Sequence, residues 1–280
     1  MSDKLDQNEA EAEAARVLKD HGLSIPPIDP FAIASKARIH VCAMASQEPG
    51  VAGCLLRVGN EFGIQYSRSL PNEGFIRFTV AHELGHYFIP GHPEHLFPNG
   101  DGIHKSHGDF AVADRHERQA DFFASSLLMP PDLFSKAMWK VDPGLEGINK
   151  LAEQFGTSLT ATAISYARRA EIPLAIIVSN GNSIEYCILS DQLKSIPNLG
   201  WPKKGDPLSQ TTSTYRLNER VSAGEHCDRL DGECSLDDWF EDAPEVEMAE
   251  ESLRLGGYGK TMTVIYTEED LDELLADPDE

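Results

Sequence analysis

The stretch 77-RFTVAHELGHYF-88 decides how the rest of the chain reads. Within it, His82-Glu83-Leu84-Gly85-His86 places two histidines four residues apart. On a helix that spacing puts both imidazoles on one face, one turn apart, where they can meet a single cation. Glu83 points about 100° around the helix and misses the cation. It can instead reach a water beside it, where a general base must stand. Phe78, Val80, Ala81, Leu84, Tyr87 and Phe88 surround the motif and predict a buried helix. Buried imidazoles need partners. The plain alternative is a solvent-facing helix that holds two histidines by chance, because the five-residue pattern is short.

A catalytic zinc site has three protein ligands and one open position. Two residues compete for the third place. His92 lies six residues beyond His86, as in the extended pattern HExxHxxGxxH, but Ile89 stands where that pattern turns on glycine. Glu117 stands on a second expected helix, in Glu117-Arg118-Gln119-Ala120-Asp121. Glu117 and Asp121, four apart, share a helical face. The first can bind a cation, and the second can accept the free N–H of a ligand histidine. Glu117 also fits a capping box with Asp114, in which it would only satisfy backbone donors. For the oxyanion of a hydrolysis, Tyr87, His116 and Tyr166 are candidate donors.

The remaining chain fits around these two helices. Helical spacing covers 8–20, "FAIASKA" is a short helix with Asp29 as its N-cap, and Pro71-Asn72-Glu73 opens the motif helix. "RIHVCAM", "GCLLRVG" and "EFGIQYS" read as strands, the last two as a hairpin turning at Gly59-Asn60. An extended peptide could add to an edge of that hairpin. Residues 90–112 read as a long Gly/Pro/His/Asp loop, its His92, His95, His104 and His107 as surface residues, with a second metal site or a lid as alternatives. Helices follow over "DRHERQADFFASSLLM", "PDLFSKAMWK" and 145–170, the last interrupted at Gly156-Thr157-Ser158. After Pro173 the pattern turns β-rich, with strands over "LAIIVSNGNSIEYCILS", "TSTYRLNERVSA" and "GKTMTVIYT".

Composition limits the function. The chain has 280 residues, 41% hydrophobic and 25% charged, enough for one large core or two modest ones. Its net charge of −22 repels phosphate backbones and anionic lipid. The helix-turn-helix-like segment 145–170 lacks the basic face of a DNA reader, so direct nucleic-acid binding is not expected. The acid concentrates at 241–280, with 14 Asp/Glu against 2 Lys/Arg, which reads as a solvated tail. The N-terminus lacks a basic region followed by an apolar one, so no secretory signal is expected. No apolar stretch is long enough to span a bilayer. Five cysteines, at 42, 54, 187, 227 and 234, read as reduced thiols of a cytoplasmic protein.

"RFTVAHELGH" followed by "ERQADFFASSLLMP" resembles the ImmA/IrrE family of metallo-endopeptidases, and the likeness extends over about residues 8–170. The resemblance implies a zinc peptidase with His82, His86 and Glu117 as ligands and Glu83 as the catalytic residue; manganese is the alternative cation. Asp121 stands where the family more often has Asn. A carboxylate there still suits a bond to a ligand histidine. The resemblance also implies a protein substrate, a helix-turn-helix transcriptional repressor whose cleavage induces stress or mobile-element genes. A rival is a non-proteolytic regulatory or antitoxin-like binding protein that keeps the metal site. The expected class is α+β. A mainly helical, zincin-like peptidase domain with a small antiparallel hairpin or sheet spans 1–171. A β-rich accessory domain, GAF-like or substrate-recruiting, spans 172–266, and an acidic tail spans 267–280.

Overall fold

The computed structural model describes residues 2–45, 48–70, 72–107, 114–256 and 259–271. The chain divides into two units, Met1–Ala137 with Lys150–Ala161, and Met138–Asn149 with Thr162–Glu280. It is α+β, as the patterning predicts.

The first unit opens with α1 (Ser2–His21) and α2 (Pro30–Lys36). Asp29 caps α2 by accepting the Phe31 N–H, and Pro30 fills a first-turn position that has no N–H to satisfy. Strands β1 (His40–Ala43), β2 (Val51–Val58) and β3 (Glu61–Tyr66) follow. Next come α3 (Glu73–Phe88), α4 (His92–Leu96), β4 (Gly102–His107) and α5 (Arg115–Leu128). Asn72 caps α3 by accepting the Phe75 N–H at 3.0 Å. Along the chain α6 (Pro131–Met138), α7 (Leu145–Phe155) and α8 (Leu159–Ala167) come next, α7 and α8 each divided between the two units, with Gly156 left-handed (φ 63°) between them.

The sheet of this unit takes in the three expected strands and one more. Its order is β1-β3-β2-β4. β2 and β3 form the antiparallel hairpin, but β1 joins β3 in parallel, His40 opposite Gly63. β4 comes from the stretch expected to be loop and pairs antiparallel with β2, Leu55 opposite His104. β4 escapes a hydrophobic reading because its polarity is inverted. Gly102, His104 and Ser106 turn inward while Ile103, Lys105 and His107 are exposed. Apolar alternation signals a strand only when the inward face is apolar. β4 also covers one side of the hairpin and β1 the other, so the hairpin has no free edge for a peptide.

α3 packs on this sheet and on α5. Leu55 and Ile64 from the sheet, Val80, Ala81 and Leu84 from α3, and Phe123, Leu127 and Leu128 from α5 form one buried cluster. α3 and α5 meet backbone to backbone: a Cβ on Gly85 would lie 3.1 Å from Ala120 Cα and 3.2 Å from the Phe123 ring. Small residues at a crossing let helix axes approach, and here they bring Glu117 beside the two motif histidines. α1 lies along α5. The buried carboxylate of Asp6 accepts from Arg115 Nε at 2.7 Å.

The second unit holds an antiparallel five-stranded sheet in the order β6-β5-β9-β8-β7. Its strands are β5 (Leu174–Asn180), β6 (Ser183–Leu189), β7 (Arg229–Ser235), β8 (Glu247–Arg254) and β9 (Lys260–Tyr266). Two helices accompany it, α9 (Asp191–Lys194) and α10 (Ser213–Ser222). "TSTYRLNERVSA", expected as a strand, is α10. Thr212 caps it, and buried Glu250 on β8 accepts the Ser213 and Thr214 N–H groups at 2.8 and 2.9 Å. A distant carboxylate thus satisfies the helix start, which local propensity does not reveal. β8 and β9 also run through 241–266, where charge alone predicts a solvated tail. Alternation resolves the conflict, since Met248, Glu250 and Ser252 of β8 all face inward. Residues 272–280 of the expected tail lie outside the described residues.

Candidate metal centre

Two turns of α3 carry the centre. His82 and His86 project from one face, their rings 4.8 Å apart and their Nε2 atoms 3.1 Å apart. Glu117, on the first turn of α5, completes the group. Its Oε2 lies 3.3 Å from His82 Nε2 and its Oε1 lies 3.3 Å from His86 Nε2. One donor atom from each residue falls within 4.8 Å of the others, and the three are the one such cluster among the described residues. The capping alternative for Glu117 is half present. Asp114 caps α5 through the His116 and Glu117 N–H groups, while the Glu117 carboxylate turns to the histidines.

Each histidine is held at its other nitrogen. His82 Nδ1 donates to Asp121 Oδ1 at 2.9 Å, leaving the Nε2 lone pair free to bind. His86 Nδ1 lies 3.2 Å from His92 Nδ1. His92 therefore stands behind a ligand candidate and is not one of the three converging donors. Helix α4, where a loop was expected, places it there.

The donor set fits a divalent cation. Two imidazole nitrogens and a carboxylate oxygen converge with their lone pairs facing one another, an arrangement that positive charge between them relieves. The electrostatics distinguish the two histidines. Burial works to lower His82, yet the hydrogen bonds to Asp121 and Glu117 outweigh it and raise it to about 10, so a cation binding at Nε2 displaces a proton held there. Burial lowers His86 to about 3, which favours neutral imidazole. Burial would raise Glu117, but the bonds from His104, His82 and His86 hold its carboxyl well below the ordinary range.

Glu83 points elsewhere. It is fully buried, and neither carboxylate oxygen has a hydrogen-bond partner. Burial pushes it up to about 7, with His82, Ser106 and His104 pulling the other way. A base in that range can both take and return a proton near neutral pH. Strand β2 presses on it: a Cβ on Gly53 would stand 2.8 Å from Glu83 Oε1.

His104, read from the sequence as a surface residue of a loop, lies at the centre. From β4 its Nε2 donates to Glu117 Oε1 at 2.9 Å, and its ring lies 4.7 Å from that of His86. The other aromatic candidates have different occupations. Tyr87 packs edge-on against Phe62 at 5.0 Å. His116 stacks on His95 at 3.9 Å. Tyr166 lies in the second unit. Cys227 and Cys234 are free, as are the other three cysteines.

Residues 64–165 match the family model for the IrrE N-terminal-like domain of M78 peptidases. Over this span the chain is similar to the metallopeptidases of the ImmA/IrrE family. The match includes both motif helices, β4 and α4. Members of this family are peptidases, which act on protein and use a metal ion; the triad of this chain could hold one. No curated protein matches the chain. Among solved structures, the chain is similar in fold to a Mycobacterium tuberculosis transcriptional regulator. The TM-score is 0.55 at 13% identity, covering 95% of this chain and 82% of that one. Among the described residues, no helix is long and apolar enough to cross a membrane.

Proposed function

We propose that the chain is a zinc-dependent endopeptidase of the cytoplasm whose substrate is a helix-turn-helix transcriptional repressor. The observation that carries the reading is the convergence of His82, His86 and Glu117 beside Glu83, a buried carboxylate without a partner. Two imidazoles and one carboxylate make the His₂Glu set of zinc peptidases, and manganese is a second occupant the same donors accept.

A bound divalent cation supplies a Lewis acid, which acidifies a water and polarises a peptide carbonyl. Glu83 takes the proton of the attacking water and returns it to the leaving amine. Its raised affinity for protons suits both transfers. Asp121 keeps the His82 ring oriented through Nδ1. His104 turns its Nε2–H from Glu117 toward the carbonyl oxygen as negative charge develops there. The outer edge of β4 offers an extended substrate backbone hydrogen bonds beside these groups. The β-rich accessory domain, which we place at about residues 172–266, recruits the substrate.

The test is cleavage of a candidate helix-turn-helix repressor by the zinc-loaded full chain. Chelation and Glu83→Gln should each abolish cleavage, and Glu83→Gln should still bind zinc. Complex formation with the repressor, insensitive to chelator and without cleavage, would instead support a non-proteolytic binding protein.

A further inference from the structure

The two metal-binding imidazoles are backed differently. His82 ends on a carboxylate, whereas His86 ends on another histidine that leads onward through α5 to α1. His86 Nδ1 lies 3.2 Å from His92 Nδ1, and His92 Nε2 lies 3.2 Å from Gln119 Oε1. Gln119 Nε2 lies 3.1 Å from Glu9 Oε2. His86, His92 and Gln119 are all buried.

The direction of every bond follows from the far end. A carboxylate only accepts, so Glu9 fixes the NH₂ of Gln119 toward α1 and its oxygen toward His92. That oxygen only accepts, so His92 carries its hydrogen on Nε2. His92 Nδ1 is then a lone pair, and the hydrogen between the two histidines belongs to His86 Nδ1. His86 Nε2 is left as a lone pair aimed at Glu117 and His82. The buried segment of the chain thus admits one polarity, the one a cation ligand requires.

We propose that Glu9, Gln119 and His92 form a one-way hydrogen-bond chain that fixes the donor nitrogen of His86. The seating of α1 on α5 thereby sets how tightly the centre binds its cation. The inference rests on the metal-site reading above. Arg115 supports the same seat from α5, holding Asp6 at 2.7 Å and Glu9 at 3.4 Å. These are positioning residues, since each acts on the cation through His86.

The experiment measures zinc affinity of the full-length protein by competition with a chelator, together with the visible spectrum of the cobalt-loaded form. His92→Phe removes the acceptor and should weaken zinc binding roughly 10- to 100-fold. Gln119→Met should weaken it in the same direction and serves if His92→Phe does not fold. His92→Asn places an amide oxygen near the lost Nδ1 and should restore affinity and the parental cobalt bands. A purely structural role would lower the unfolding midpoint in chelator but leave affinity and spectrum at parental values, which would overturn the proposal. Equal weakening in His92→Asn and His92→Phe would overturn it too. A parent chain that binds neither zinc nor cobalt would overturn the metal-site reading itself, a different failure.

Discussion

Gly53→Ala tests whether β2 holds Glu83, the proposed base, in place. A methyl group there would stand 2.5 Å from Thr79 Cγ2, 2.8 Å from Glu83 Oε1 and 3.4 Å from the Gln65 carbonyl oxygen. Thr79 and Glu83 sit one turn apart on α3, so the strand presses on both at once. Thr79 is β-branched and has few rotamers in a helix. The Glu83 carboxylate is the far end of a flexible side chain, so it yields first. It must retreat by roughly half an ångström to reach ordinary contact. Overpacking of this kind costs about 1–3 kcal/mol of stability. A displaced base costs rate as well, on the order of 10- to 100-fold. None of the three nearest atoms belongs to His82, His86 or Glu117, so zinc affinity should stay close to the parental value. Urea unfolding, zinc competition and the turnover number on the proposed repressor substrate would separate the three effects. A Gly53→Ala protein that is as stable and as fast as its parent would refute the tight approach of β2 to Glu83.

Three further outcomes follow from the same geometry. Asp121→Ala removes the acceptor of His82 Nδ1 and should weaken zinc binding about 10- to 100-fold, whereas Asp121→Asn keeps an acceptor oxygen and should bind close to the parent; equal losses in a chelator competition would refute the orienting role. Gly85→Val forces α3 from α5 at the Ala120 contact, so it should cost about 1–3 kcal/mol in urea unfolding and weaken zinc binding by moving Glu117. Glu83 has a pH signature. Burial raises its carboxyl to about 7, so ionising it in the fold costs stability from the ordinary carboxylate range upward, and the cost is complete above about 7. Glu83→Gln removes that cost. In chelator its stability gain over the parent should be larger at pH 8 than at pH 4, and an equal gain at both would refute the assignment.

The sequence alone determined the two motif helices and most of what they hold. The i, i+4 spacing of His82 and His86, the offset of Glu83, and the pairing of Glu117 with Asp121 follow from helix geometry that any helix obeys. The resemblance to a peptidase family was legible for the same reason, because its motifs lie on those helices. The capped starts at Asp29 and before Glu73 were also local, since a cap satisfies donors within the next turn.

Tertiary structure decided the rest. That Glu117 faces the histidines depends on Gly85 meeting Ala120, a contact between residues 35 positions apart in sequence. β4 became a strand because β2 supplied its hydrogen bonds, although its inward residues are polar. His104 and His92 reached the centre by the same means, from a stretch whose composition reads as loop. α10 formed where alternation favoured a strand because Glu250, a residue from another element, caps it. Local periodicity records which face of an element is apolar. It carries no record of a polar face whose partners are brought from elsewhere in the fold, and the centre of this protein is built largely from such faces.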